Sequence, residues 1–299
     1  MKRTCLLLVA ARPFTMSMST SLNTFPSVAI NLSPSFVDTS WFLKDKDKGR
    51  GDFAERRVNG AKYLDITAMG HPQGTVHSWP SPATYENFLG SNNLSKSTPI
   101  VLYQSEGGMA MYYSYYWLKY GVGHEGWVGC KQTPGAESGE GGGDAEDIPS
   151  CENVGALVPV QGGWGKYVNK AFVKSVVGGE EAATIIDVRG AGRFTGEEKE
   201  ARPGVKSGHM PGAKNLPFPK VLREDWCGLK DEAELKGILG EVVGLEGDGR
   251  IVVTCGSGVT ACIVATALEK VGVDPRRVGV YEGSWAEWGA SDDTEVVEG

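Results

Sequence analysis

Short apolar runs that stop at a polar residue recur along the chain: Phe36-Val37 before Asp38, Ile100 to Tyr103 before Gln104, Ile185-Ile186 before Asp187, and Ile251 to Val253 before Thr254 and Cys255. Their length and β-branched content predict strands, and the stretches between them predict helices. After Cys255, for example, Ala261, Ala265, Ala267 and Leu268 favour a helix over Ala261 to Val271, and Gly272 supplies its stop. Strands alternating with helices predict an α/β fold in which parallel sheets carry helices on both faces.

The runs are also copies of one another. Phe36 to Ser40 matches Ile185 to Arg189, Arg57 to Leu64 matches His209 to Leu216, and Ile100 to Tyr103 matches Ile251 to Thr254, each about 150 positions later, which indicates a duplicated fold. Val160-Gln161-Gly162-Gly163-Trp164 pairs with Tyr281 to Trp285 at an offset shorter by about 30, so an insertion is expected in the first copy between Gly123 and Leu157. Its Gly- and Glu-rich run from Gly135 to Asp144 cannot offset its ordering entropy by burial and predicts a mobile surface loop. Gly121-Val122-Gly123-His124-Glu125-Gly126 spells a dinucleotide fingerprint but follows a helix and opens none, so a dinucleotide site is rejected.

Candidate chemistry gathers at Cys255-Gly256-Ser257-Gly258-Val259-Thr260. A strand that stops at a cysteine and turns into a helix aims backbone N–H groups and the positive end of the helix dipole at one sulfur, which favours the thiolate. Cys255 is thus the candidate nucleophile, with a core cysteine as the alternative. Cys262, two helical turns on, is expected in the core.

Bulk properties narrow the class. The 299 residues suffice for two domains, and a net charge of −7 gives no reason to expect nucleic acid or a membrane as partner. No run of about 18 apolar residues marks a membrane span. The six cysteines form no C-x-x-C pair and the four histidines do not cluster with them, so neither a metal site nor a disulfide framework is expected. The first 37 residues lack Asp and Glu but carry Lys2, Arg3 and Arg12. That composition suits a transit peptide to the mitochondrion or another organelle; a secretory signal and a disordered N-terminus of a cytoplasmic protein are the alternatives.

Asp187-Val188-Arg189, Gly208 to Ala213, Cys255 to Ala261 and Tyr281 to Trp285 together resemble the tandem-domain rhodanese superfamily over residues 36 to 299. The loop is similar to that of its mercaptopyruvate sulfurtransferase branch, since thiosulfate-preferring relatives carry basic residues after the cysteine. The resemblance implies two tandem rhodanese-like domains: a catalytically inactive one over 31–169 with the insertion near 124–156, and a catalytic one over 170–299, after a transit peptide or disordered segment over 1–30. It implies a monomer without cofactor or metal, and a Cys255 persulfide that carries sulfur from 3-mercaptopyruvate to thioredoxin, a small thiol or cyanide, with release of pyruvate. Gly256, Gly258, Val259 and Thr260 would line the substrate, Ser257 would relay a proton, and Arg193 and Arg202 would bind the substrate oxygens.

Gln104 stands where the first copy would need its cysteine and cannot form a persulfide. That domain would wall the cleft and offer His77 to the relay, although Thr67 replaces the family's acid, with Asp65 two residues earlier. Asp187 and Arg189 are expected to form an ion pair and His209 to cap or pack in its turn. Only 22 residues separate Trp164 from Asp187, a shorter crossing than the family uses. Thiosulfate sulfurtransferase and a non-catalytic binding or sulfur-relay module are the alternatives. A cysteine phosphatase is rejected because Ala261, not arginine, is the sixth residue after Cys255.

Overall fold

The computed structural model describes residues 4–8, 35–69, 80–105, 107–122, 124, 128–133, 167–224, 226 and 228–299. The apolar runs become the central strands of two five-stranded sheets. The first contains β1 (Thr4–Leu8), β2 (Ser35–Asp38), β3 (Lys62–Tyr63), β4 (Ile100–Ser105) and β5 (Val128–Thr133), in the order β1-β5-β4-β2-β3. The second contains β6 (Tyr167–Val168), β7 (Ala183–Asp187), β8 (Lys214–Asn215), β9 (Arg250–Thr254) and β10 (Val278–Tyr281), in the order β6-β10-β9-β7-β8. Asp38 pairs with Tyr103 and Asp187 with Thr254 in the same parallel register, so the duplication inferred from the chain is a duplication of topology. Ile100, Leu102, Ile251 and Val253 are wholly buried, as strands covered on both faces require.

Helices α1 (Lys48–Glu55), α2 (Pro82–Ser91) and α3 (Met111–Tyr116) flank the first sheet; α4 (Lys170–Val177), α5 (Ala191–Thr195), α6 (Glu232–Gly240), α7 (Ala261–Lys270) and α8 (Ser284–Trp288) flank the second. Side chains of Ser81, Asn169 and Asp231 cap α2, α4 and α6 by accepting backbone N–H bonds. In the second sheet the chain leaves β7 towards β8 and leaves β9 the opposite way, towards β10. This reversal makes the carboxyl ends of β7 and β9 a topological switch point, where α/β sheets bind ligands.

Three boundaries differ from expectation. Thr4–Leu8, inside the segment expected to be a transit peptide or disordered, is a strand antiparallel to β4 and β5. Val128–Thr133, inside the expected loop insertion, lies parallel to β4 as the counterpart of β10. The composition that excludes burial starts only at Gly135, and the residues before it complete the sheet. Tyr167 and Val168, ahead of the expected division at residue 170, pair with β10 and thus extend the second sheet.

The halves meet through α3 and α7, the helices that follow the equivalent loops of the two copies. Both are buried over nearly their whole surface, and one apolar cluster runs from Val37 and Trp41 through them to Ile251 and Val253. A π-helical turn, Trp117–Gly121, continues α3 and carries Lys119 to Glu269 on α7 at 2.9 Å, both side chains under a tenth exposed. Tyr120 donates to the same carboxylate, Tyr115 accepts from Lys119 at 2.9 Å, and Tyr167 donates to the Tyr116 carbonyl at 3.1 Å.

Removing one member of a buried pair leaves the other charge uncompensated. Glu269→Ala should therefore cost about 3 kcal/mol in urea unfolding, whereas a solvated pair would cost under about 1 kcal/mol.

Candidate active site

The Cys255 loop joins β9 to α7, as the chain predicts. Cys255 is 2% exposed, and Gly258 N donates to its Sγ at 3.1 Å. That contact needs a tight turn: Gly258 has φ +83°, and a Cβ there would lie 2.9 Å from the Glu282 carbonyl oxygen. Ser257 and Val259 are buried within the loop, and Thr260 precedes α7. Cys262 is wholly buried and donates to the Gly258 carbonyl at 3.4 Å; burial and the nearby Cys255 push its thiol well above the ordinary range. It is a core cysteine, held protonated.

The next crossover fastens the loop from behind. Cys255 N donates to Ser284 Oγ at 3.2 Å, Ser284 Oγ donates to the Tyr281 carbonyl at 2.7 Å, and Trp285 N and Ala286 N donate to the carbonyls of Cys255 and Gly256, both at 3.0 Å. Tyr281 to Trp285 repeats Val160 to Trp164 in the chain, but nothing in that pattern marks Ser284 as the residue that holds the loop.

From the segment that follows β7, Arg193 and Arg202 converge on the same loop. A Cβ added to Gly256 would lie 3.5 Å from Arg193 Nη1 and 3.5 Å from Arg202 Nη2. Glu200 joins them: its carboxylate accepts from Arg193 Nη2, from Arg202 Nη1 at 2.9 Å and from Arg202 N at 3.3 Å. The Glu200 side chain is 3% exposed while those of Arg193 and Arg202 are 24% and 26% exposed. Burial alone would raise the Glu200 carboxyl, but the two guanidinium groups outweigh it and hold it below the usual range. In the chain, Glu200 is indistinguishable from its neighbours Glu197 and Glu198.

Arg193 sits on α5, which is anchored away from the loop. The His209 ring stacks on Phe194 at 3.7 Å between centroids, and its Nδ1 lies 2.9 Å from the Phe194 carbonyl, which requires the proton on Nδ1. His209 exchanges backbone bonds with Val297, and Gly299 N donates to the Thr195 carbonyl. His209 therefore packs and caps, as expected. Asp187 and Arg189 form the expected ion pair, both buried, and Arg189 Nη2 donates to the Gly208 carbonyl at 2.7 Å.

Residues 172–291 match the family model described as Rhodanese-like domain. The chain is 32% identical to the 3-mercaptopyruvate sulfurtransferase of Escherichia coli K12 over 257 residues, which covers 82% of this chain and 84% of that protein. The chain belongs to the tandem-domain rhodanese superfamily. The rat 3-mercaptopyruvate sulfurtransferase is 29% identical over 84% of each chain, and the chicken thiosulfate sulfurtransferase is 27% identical over 84% of this chain and 85% of that one. Among solved structures, the sulfur transferase subunit of yeast mitochondrial complex I superposes with a TM-score of 0.68 at 27% identity, covering 89% of this chain and 94% of that one. This member is a sulfurtransferase, and similarity to such enzymes over most of the chain decides against the non-catalytic module.

In this sulfurtransferase the first copy of the loop is closed on itself. Gln104 is 3% exposed and its Oε1 accepts from Met111 N at 3.0 Å, so the amide occupies the turn that surrounds a sulfur in the second copy. His77 lies outside the described residues, as does Trp164. Thr67 Oγ1 accepts from Trp41 Nε1 at 3.0 Å, and Asp65 is engaged with Arg50 at 2.9 Å and with the N–H groups of Thr67 and Ala68.

Serine replaces the strand-end arginine in the first copy: Asp38 accepts from Ser40 N at 2.8 Å and, among the described residues, has no ion pair equivalent to that of Asp187 with Arg189. Burial, with the like charge of Asp52, pushes its carboxyl up to about 6, against the lowering effect of Ser40 and Tyr103. A folded-state value above the unfolded one means stability that is present below pH 3.8 and lost as pH rises through about 6. Asp38→Asn should therefore match wild type near pH 4 and exceed it by roughly 3 kcal/mol at pH 7.5 in denaturant unfolding.

Proposed function

We propose that this sulfurtransferase takes sulfur from 3-mercaptopyruvate onto Cys255 and passes it to a thiol or cyanide. The observation that carries this reading is the approach of Arg193 and Arg202 to Gly256 in a loop with no charged side chain of its own. Two forked cations beside a neutral cradle suit a ligand with a carboxylate and an adjacent keto oxygen.

The Cys255 thiolate attacks the donor's thiol sulfur, forming an S–S bond as the carbon–sulfur bond breaks. The electron pair leaves on pyruvate enolate, stabilised at its oxygens by the arginines, and a proton added to the methylene carbon gives pyruvate. The amide of Gly258, which donates to Sγ, supports negative charge on the sulfur. Ser257 and His77 are assigned to proton relay, and Gly256, Gly258, Val259 and Thr260 to the substrate cradle. An acceptor thiolate, from a small thiol or thioredoxin, or cyanide then takes the outer sulfur and restores Cys255.

Turnover of 3-mercaptopyruvate and thiosulfate with cyanide as acceptor tests the reading. Mercaptopyruvate should be preferred in kcat/KM by at least about tenfold, and a preference for thiosulfate would overturn it. Protein exposed to the donor should gain the mass of one sulfur at Cys255, and Cys255→Ser should gain none. Arg193→Gln and Arg202→Gln should each lower kcat/KM for mercaptopyruvate by about 10- to 100-fold.

A further inference from the structure

Glu200 is an unusual neighbour for an anion-binding pair, because a carboxylate competes with the ligand for the same guanidinium edges. It is also the most deeply buried of the three charged side chains, 3% exposed against 24% and 26%. Each arginine gives one edge to it, and both present nitrogen atoms to Gly256. The backbone N–H of Glu200 donates to Ser207 Oγ at 3.1 Å, which holds the backbone from which the carboxylate reaches its partners.

The formal charge of this cluster is two guanidinium cations less one carboxylate. Among the described residues the loop from Gly256 to Ala261 adds no ionisable side chain, Cys262 is held as the neutral thiol, and Asp187 and Arg189 neutralise each other; the Cys255 thiolate, when formed, adds one negative charge that is the same whatever stands at position 200. A ligand with one negative charge matches the single surplus cation of the Arg193, Arg202 and Glu200 cluster, whereas a dianion brings one further negative charge beside a largely buried cysteine. Uncompensated charge in such surroundings is costly, and discrimination by a misplaced charge is a common way to reject the wrong ligand.

We infer that Glu200 is a specificity-determining residue of this site: by clamping Arg193 and Arg202 around one buried negative charge, it leaves one net positive charge and selects monoanionic 2-oxo acid thiols over dianionic sulfur donors. The inference rests on the assignment of the arginines to the donor.

Binding of two unreactive probes, pyruvate as the monoanion and sulfate as the dianion, measured by titration calorimetry on the full chain, separates this role from a structural one. Glu200→Gln keeps the shape and one acceptor oxygen but removes the charge, and should raise the ratio of sulfate to pyruvate affinity by about tenfold. Glu200→Asp keeps the charge and should keep the wild-type ratio. Arg202→Gln removes a cation and should shift the ratio the opposite way, so the test survives if Glu200→Gln fails to fold.

A merely structural Glu200 would weaken both probes alike. An unchanged ratio in Glu200→Gln, or in Arg202→Gln if the first variant does not fold, would overturn the inference. If wild type turns over thiosulfate rather than mercaptopyruvate, the donor assignment fails, and the probe ratios still decide the role of Glu200. If wild type prefers mercaptopyruvate and the ratios do not move, only the role of Glu200 fails.

Discussion

The buried ion pair between Asp187 and Arg189 joins the segments from which the second site is built. Asp187 ends β7, and its carboxylate holds both the backbone N–H and the side chain of Arg189. The guanidinium in turn donates to the Gly208 carbonyl and lies 4.2 Å from the centroid of the Trp285 ring. One side of this contact leads through His209 to α5 and Arg193. The other leads through Trp285 to the carbonyl of Cys255. A desolvated charge pair of this kind persists only if its remaining donors and acceptors are matched, and that requirement fixes how far the arginines stand from the loop.

The duplicate half illustrates what that pair supplies. With Ser40 in the arginine's place, Asp38 still turns the chain at the strand end, and it reaches the Tyr103 hydroxyl on β4, which accepts from Val58 N, instead of a guanidinium. Its own loop is filled by Gln104, whose amide satisfies the N–H of Met111. An internal side chain thereby takes the volume and the hydrogen bonds that an open site would offer to a ligand. The first half shares the topology of the second, because the strands, the buried aromatic helix α3 and the contact with α7 are stabilised by apolar burial rather than by the polar strand ends.

The contact between halves has the character of a core. Among the described residues Tyr115, Tyr120 and Tyr167 contribute hydroxyls to it, and Lys119 with Glu269 provides a charge pair among apolar side chains. An interface of this composition resists hinge motion more than the polar interfaces usual between domains. It therefore fixes the first half relative to the Cys255 loop.

Much of this was legible along the chain. Strand-length apolar runs, their repetition and the glycine-lined cysteine turn are local signals, set by periodicity and turn chemistry over a few residues, whereas Arg193 and Arg202 were legible only through the resemblance to the family. The limits of the insertion were not legible, because Val128–Thr133 is too short to be distinguished from its glycine-rich continuation until β4 offers it a partner. Glu200, Ser284 and Glu269 were not legible either. A charged or hydroxyl residue in sequence carries no mark of the group it will meet, since the choice depends on which distant segments packing brings within 3 Å and removes from water. The sequence by itself determined the duplicated α/β fold and the reactive turn, through local backbone preference and apolar pattern; the tertiary structure alone decided which charges surround that turn, because pairing strength is set by burial and distance.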